Sequence, residues 1–425
     1  MMETTAEDFR QATVRACRYR ARAWWGDELI AESIRAFRVD VPGSNPTLWF
    51  PWPDVQHDLL ASGTVENWGS GTVERFDAPG AIPEHAGAVT WGRHSNAATD
   101  SKGVVLRLIT PPPGLEELRG FALVDASRLV VELVDETDGG DPRDTTVKRF
   151  PTWGDAEDLL SILDVGTVVH DTTRPVVEGS QLLGQAIVKA IRQAPGRRVV
   201  SAHMMFLKAA DANRTTDFDL EELTGGRTFS SLAVRILQGD RVCAAGTILL
   251  GAPAQDVVHH SERIDDVPGP YDAVPYDMGV TGRDLRVVEA AYTDDPGAPV
   301  GPPKIDAWVR FREVPADPAL HAGLLAQFTG HMSIAAALRP HAGIGQIEAH
   351  RTISTAINAI SISFHGEPRM NDWVLYRHHA TTVADGMAHS ECRVHDGDGT
   401  LIASFSVEAM IRALERPSPD ARTAL

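Results

Sequence analysis

SQLLGQAIVKAIRQ (residues 180–193) is the stretch from which the rest of the chain can be read. Leu182, Leu183, Ala186, Ile187, Ala190 and Ile191 share one face at helical spacing, and Gly196 follows as a stop signal. Three strand-like runs come next: VVSAHMMFL (199–207), FSSLAVRIL (229–237) and VCAAGTILL (242–250). Further along the same order returns. IDAWVRFREV (305–314) reads as a strand, and PALHAGLLAQFTGHMSIAAALR (318–339) as one helix with Leu320, Leu324, Phe328, Met332 and Ala335 in a stripe, ended by Pro340. Strands follow at NAISISF (358–364), DWVLYRHH (372–379), HSECRV (389–394) and LIASFSVEAMIR (401–412). The two halves also share a strand pair, GDRVCAAGTILL (239–250) and GDGTLIASFSVE (397–408). Such self-similarity reads as a duplicated unit, one helix wrapped in a sheet.

Outward from this repeat the pattern weakens. Residues 1–155 form a β-rich, turn-rich segment, with short runs such as Arg20–Trp25, Thr47–Phe50 and Leu129–Val134 between clusters like VPGSNP, DAPGAIP and TPPPG. Asp135–Asp144 (DETDGGDPRD) is a polar break, and GDAEDLLSIL (154–163) reads as a helix. The expected divisions are therefore 1–155, a first repeat at 156–262, a Pro/Gly-rich connection at 263–303 holding one strand near Leu285–Ala290, a second repeat at 304–414, and a tail at 415–425.

The 425 residues carry 58 acids against 40 Lys and Arg, a net charge of −18, which argues against a general nucleic-acid or anionic-membrane binder. No apolar run is long enough for a membrane span, and the opening MMETTAEDFRQ lacks the apolar core of a signal peptide. Cys17, Cys243 and Cys392 are too few and too scattered for a disulfide scaffold or a zinc module, which suits a reducing cytoplasm. The His pairs 259–260 and 378–379 are not read as metal ligands, because adjacent strand residues face opposite ways. No metal is expected.

The motifs resemble those of the acyl-CoA thioesterase II (TesB-like) family over about 165–412. SQLLGQAI (180–187) is similar to the family's GQVVGQAL, VSAHMMFLKAAD (200–211) to HSFHxYFLRPGD, and GRTFSSLAVRI (226–236) to GRSFxxRRV. AWVRFR (307–312) resembles VWIR, SISFHGEPRMNDWVLY (361–376) resembles MWFHRPFxxxEWLLY, and LIASFSVEAMIR (401–412) resembles LVASxxQEGxMR. HMSIAAALRPHAGIG (331–345) resembles the family's second helix end. The resemblance implies an α+β chain: a tandem (double) hotdog preceded by a small β-rich domain, two helices packed inside one continuous sheet, and a homodimer or higher homo-oligomer. RARAWWGDELIAESIRAFRVDVPGSNPTLWFPWPDV (20–55) is in turn similar to the opening of the DUF427 family, whose central Cys-Pro motif is absent here. That likeness implies only a β-rich fold. The aromatic cluster Trp24, Trp25, Trp49, Phe50 and Trp52 reads as that domain's core.

For chemistry the resemblance implies an acyl-thioester hydrolase acting on acyl-CoA or a carrier-bound acyl group, with coenzyme A or phosphopantetheine present only as part of the substrate and no separate cofactor. The family's Asp, hydroxyl and Gln fall on Gly330, Ile357 and Val407, none of which can take a proton or hold a water. A one-residue slip offers Thr329 or His331, Asn358, and Ser406 or Glu408, but a slip along a strand reverses the face. Two residues stand as replacement catalysts. His331 directly follows Gly330 and has a ring suited to base work near neutrality; its plain alternative is a capping or surface His. Glu178 precedes the first helix, whose N-terminus can polarise a carbonyl; its plain alternative is an acid stabilised by the helix dipole. Gln185 and His203 are possible helpers, with core hydrogen bonding as the alternative for His203. Arg197, Arg198, Arg310 and Arg312 read as solvated surface side chains or as contacts for coenzyme A phosphates, and Cys243 and Cys392 as inert core thiols. Three functions stay open: a hydrolase with relocated residues, a non-hydrolytic enzyme on an acyl chain (dehydration, isomerisation or cyclisation), and a non-catalytic acyl binder.

Overall fold

The computed structural model describes residues 8–41, 45–78, 103–135, 142–152, 154–165, 176–264, 267–292, 295, 297–349 and 351–414. Most of the Asp135–Asp144 break and the 415–425 tail lie outside them. Among the described residues no helix is long and apolar enough to cross a membrane. The chain divides into two compact units. One runs to Gly154 and includes Gly279–Thr281; the other holds both repeats.

The first unit is built of strands. A seven-stranded sheet and a four-stranded sheet (Thr146–Arg149, Val130–Asp135, Arg20–Trp25, Glu28–Ser33) enclose its cores. Trp25, Trp49 and Phe50 are buried as expected, Trp25 and Phe50 in one core, which Trp52 packs against, and Trp49 in a second. Trp24 corrects the expectation. It falls on the other face of its alternating strand and donates its indole N–H to Glu132.

In the second unit the helices are α1 (Ala156–Val165), α2 (Gly179–Gln193), α3 (Pro318–Phe328) and α4 (Ser333–Leu338). The strands are β1 (Arg198–Phe206), β2 (Asp217–Gly225), β3 (Phe229–Gln238), β4 (Arg241–Gly251), β5 (Val274–Pro275), β6 (Arg283–Val287), β7 (Lys304–Phe311), β8 (Ile353–Phe364), β9 (Val374–Ala384), β10 (Met387–His395) and β11 (Leu401–Ala413). They form one eleven-stranded sheet in the order β2-β3-β4-β1-β8-β11-β10-β9-β7-β6-β5. The run β2-β3-β4-β1 is mirrored by β9-β10-β11-β8, and β1 pairs antiparallel with β8 at the seam (Ser201 opposite Ser363). This is the tandem hotdog. The echoed strand pair supplies β4 and β11, each entered through a glycine at positive φ, Gly239 at 62° and Gly399 at 80°.

Both long helices are buried nearly all round, not along one stripe: α2 from Ser180 through Val188, and α3 from Ala319 with His321 half-exposed. A helix enclosed by a sheet and a second helix has no wet face to mark in sequence. The two meet at paired glycines. A Cβ at Gly184 would lie 2.6 Å from the Gly323 carbonyl oxygen and 2.9 Å from Leu163 Cδ2. A Cβ at Gly323 would meet the Val188 side chain (Cγ2) at 2.6 Å and the Gly184 carbonyl oxygen only at 3.4 Å. Alanine ordinarily gains up to ~1 kcal/mol over glycine inside a helix, but overpacking against backbone costs ~1–3 kcal/mol. Gly184→Ala should therefore lower the urea midpoint, and Gly323→Ala should lower it less. Equal midpoints for both variants and the parent would show that the helices can part without cost.

The single helix expected over 318–339 is two helices. Thr329 and Gly330 end α3, Met332 takes φ 66° and ψ −26°, and α4 restarts at Ser333. The apolar stripe runs through the break because both pieces are buried. A strand was missed at β2, the sheet's edge, where acids and exposed side chains hide the alternation.

Candidate active site

The break between α3 and α4 faces the start of α2. Glu178 is the N-cap residue of α2, and its side chain makes no capping hydrogen bond to that helix. From the other side, the turn after α3 brings His331 Nε2 to 3.7 Å from Glu178 Oε2. Gln327, near the end of α3, donates through Nε2 to the same oxygen at 3.4 Å. The two residues singled out as replacement catalysts, one from each repeat, thus meet. His331 is not the helical neighbour of Gly330 that its sequence position suggested, because α3 ends at Phe328 and both residues lie in the turn that precedes α4.

Several buried polar atoms at this junction have no hydrogen-bond partner among the described residues: Ser180 Oγ, Gln181 Nε2 and Gln327 Oε1. Buried polar groups are ordinarily satisfied, so such a cluster marks a place where a polar guest fits. A pocket of about 230 Å³, part of it open to solvent, adjoins the junction and is lined by Gly330, His331, Met332, Ile334, Met278 and Tyr292.

Of the family positions, Gly330 abuts Ser180 and Ile357, Ile357 is half-buried, and Val407 is fully buried opposite Ile360. Ser406 and Glu408 point to the other face, where Glu408 Oε1 bonds His389 Nδ1 at 2.6 Å. Thr329 uses its hydroxyl on the Ala326 carbonyl at 2.6 Å, closing α3. Asn358 is exposed at a bulge between Ile357 and Ala359. Gln185 donates to the Ile162 carbonyl at 3.1 Å and ties α2 to α1, away from Glu178. His203 is neither a helper nor a core residue. It lies exposed on the outer face of the sheet, 2.7 Å from Ser361 Oγ across the seam.

Two further corrections concern charge. Arg310 and Arg312 are not solvated; both hold Asp284, a buried residue of β6. Arg197 is half-buried and donates to the Gly226 carbonyl, while Arg198 is exposed. Cys243 and Cys392 are buried, and burial pushes the Cys392 thiol well above its ordinary range. Among the described residues no three His, Cys, Asp or Glu side chains gather as a metal site requires.

His378 sits behind the junction, its Nδ1 3.2 Å from Ser333 Oγ and its ring stacked on Tyr376 and edge-on to Phe405. Burial first, then the nearby His331, lowers its pKa to about 3. In the unfolded chain the ring takes a proton near pH 6.5. Its contribution is thus intact above that pH and is lost as pH falls towards 3, by ~1 kcal/mol per pH unit. The melting temperature should drop between about pH 6 and pH 4. His378→Phe keeps a ring there and should flatten that drop, whereas a parallel decline would assign it to other groups.

Gln327 and Ser180 are not among the residues expected at the site. The available signal was a polar residue inside an apolar helical run: Gln327 within LLAQF, and Ser180 directly before QLLGQAI.

Comparison with known proteins bears on the same residues. Residues 169–251 match the acyl-CoA thioesterase N-terminal domain, and 263–411 the acyl-CoA thioesterase C-terminal domain, together more than half of the chain. Acyl-CoA thioesterase 2 of Haemophilus influenzae is 26% identical over 258 residues, covering 56% of this chain and 88% of that protein. Among solved structures, a TesB protein of Mycobacterium avium subspecies paratuberculosis is similar at 24% identity and a TM-score of 0.48, covering 56% and 88% of the two chains. Acyl-CoA thioesterase II TesB2 of Mycobacterium marinum is also 24% identical, with a TM-score of 0.47 and coverage of 56% and 90%.

Proposed function

We propose a function from one premise: the chain belongs to the TesB-like acyl-CoA thioesterase II family, a family of acyl-thioester hydrolases. The reading is that this member hydrolyses acyl-CoA or a carrier-bound acyl thioester with Glu178 and His331 in place of the acid, hydroxyl and amide that the resemblance assigns to positions 330, 357 and 407. The observation that carries it is the 3.7 Å approach of His331 to Glu178 across the two repeats. That gap is longer than a hydrogen bond, and one water lying against both groups would close it.

In this reading His331 takes a proton from the water while Glu178 steadies the imidazolium, and the water oxygen bonds the thioester carbon. Charge gathers on the carbonyl oxygen, which unbonded amide N–H groups at the start of α2 can meet. The C–S bond then breaks, His331 returns the proton to the sulfur, and a carboxylic acid and a thiol leave. Coenzyme A or phosphopantetheine enters as part of the substrate, with no further cofactor. A reducing cytoplasm and a homo-oligomer belong to the same proposal.

A second reading, an acyl-binding protein or an enzyme acting elsewhere on the acyl chain, is favoured by one observation. The family positions Ile357 and Val407 are apolar, and Val407 is fully buried. Incubation with acyl-CoAs of graded chain length, following free thiol and acyl products, separates the two. Thiol release supports hydrolysis; saturable binding or an altered acyl chain without thiol release supports the second reading.

A further inference from the structure

Positions 180 and 330 contend for one space. A Cβ built at Gly330 would lie 2.3 Å from Ser180 Oγ and 2.8 Å from Ser180 Cβ, with Ile357 Cδ1 at 3.6 Å. While Ser180 is present, no side chain fits at 330. Ser180 therefore fills the room that an acid at that position would need, and it brings a hydroxyl there. The side chain is 1% exposed, and Oγ has no hydrogen-bond partner among the described residues. It stands in the first turn of the fifteen-residue α2, two positions after Glu178, where backbone N–H groups also lack helical acceptors. An unpaired buried hydroxyl is a standing cost to the fold. Its presence is accounted for if a guest oxygen completes it.

We propose that the Ser180 hydroxyl donates a hydrogen bond to the thioester carbonyl oxygen, acting with the α2 N-terminus as the site that receives developing negative charge. The proposal rests on the hydrolase reading above. A donor role is favoured over a nucleophilic one because no base among the described residues hydrogen-bonds Oγ. As the water oxygen bonds the carbonyl carbon, Ser180 keeps its proton and donates to the new alkoxide oxygen. When that alkoxide collapses, the C–S bond breaks and the sulfur takes the proton held by His331.

The test is steady-state thiol release by the full chain and by Ser180→Ala on the acyl-CoA that the parent cleaves best, beside thermal melts and intact-protein mass spectra. Loss of a transition-state donor should lower kcat by about 100- to 1,000-fold with KM little changed. The melting temperature should hold or rise, because the variant removes an unsatisfied hydroxyl. Unchanged kcat in an active parent overturns the role of Ser180 alone. A matching fall in activity and melting temperature marks the hydroxyl as structural and overturns it too. An acyl group retained covalently on Ser180 would replace the donor with a nucleophile. If the parent releases no thiol from any acyl-CoA, the hydrolase reading fails and this inference fails with it.

Discussion

Glu178→Gln and His331→Ala should each cut acyl-CoA hydrolysis by about 100- to 10,000-fold, the range that positioned proton transfer supplies. The two losses should not add. Groups that work as a unit are lost together, so the double variant should be about as slow as the worse single one. The fold should survive both changes. Glu178 makes no side-chain cap on α2, so the helix keeps its start without the carboxylate. His331 packs on Phe328 at 4.9 Å between ring centroids, and its removal leaves a ring-sized void that opens onto an existing pocket. Far-ultraviolet circular dichroism should therefore match the parent in both variants, and the melt should match it in Glu178→Gln, while thiol release collapses. Full additivity would mean that the residues act at separate steps, and parental activity in either variant would place the base elsewhere. Glu178→Gln is the sharper of the two, since it keeps the shape and the contact with Gln327 while removing the charge.

What the sequence disclosed about this site followed from locality. The duplicated strand pair was legible because each copy carries its own turn glycine, Gly239 or Gly399, ahead of an alternating strand. Glu178 was legible because a helix start is a local event. The meeting of Glu178 with His331 was not, because it depends on a change of direction after Phe328. Met332 adopts a left-handed backbone that its side chain does not announce, and an apolar stripe continues through it. Ser180 and Gln327 went unnoticed because a helix buried on every side gives its polar members no contrasting wet face. The arginines were misread for a related reason. Arg310 and Arg312 look solvated along their own strand, and their acid comes from β6, in the Pro/Gly-rich connection, where the strand was expected near Leu285–Ala290 and so began just past Asp284.

That acid sets the largest expected loss of stability. Asp284 is 1% exposed and lies opposite Arg310 in the pairing of β6 with β7. Arg310 reaches its Oδ2 through Nε at 3.0 Å and a terminal nitrogen at 2.6 Å, while Arg312 reaches both carboxylate oxygens at 3.2 Å. The Arg310 guanidinium also lies 4.6 Å from the centroid of the Trp373 ring. Two guanidiniums thus share one carboxylate where little water reaches. Removing one partner from a buried ion cluster typically costs ~3–5 kcal/mol, because the charges left behind are uncompensated. Asp284→Ala should lose about that much in urea unfolding. Asp284→Asn should lose somewhat less, because it still offers one oxygen to the pair. Replacing Asp284, Arg310 and Arg312 together by apolar residues of similar size should recover most of the loss, since the desolvation cost goes with the charges. The site would feel the single change as well: Arg283, adjacent on β6, lies over the Phe328 ring at 5.7 Å, and Phe328 in turn packs on His331. Activity in Asp284→Ala should therefore fall at temperatures where the variant is still folded. A loss of stability below ~1 kcal/mol would mean that water screens the arginines as it does a surface pair, and β6 would then be a passive strand.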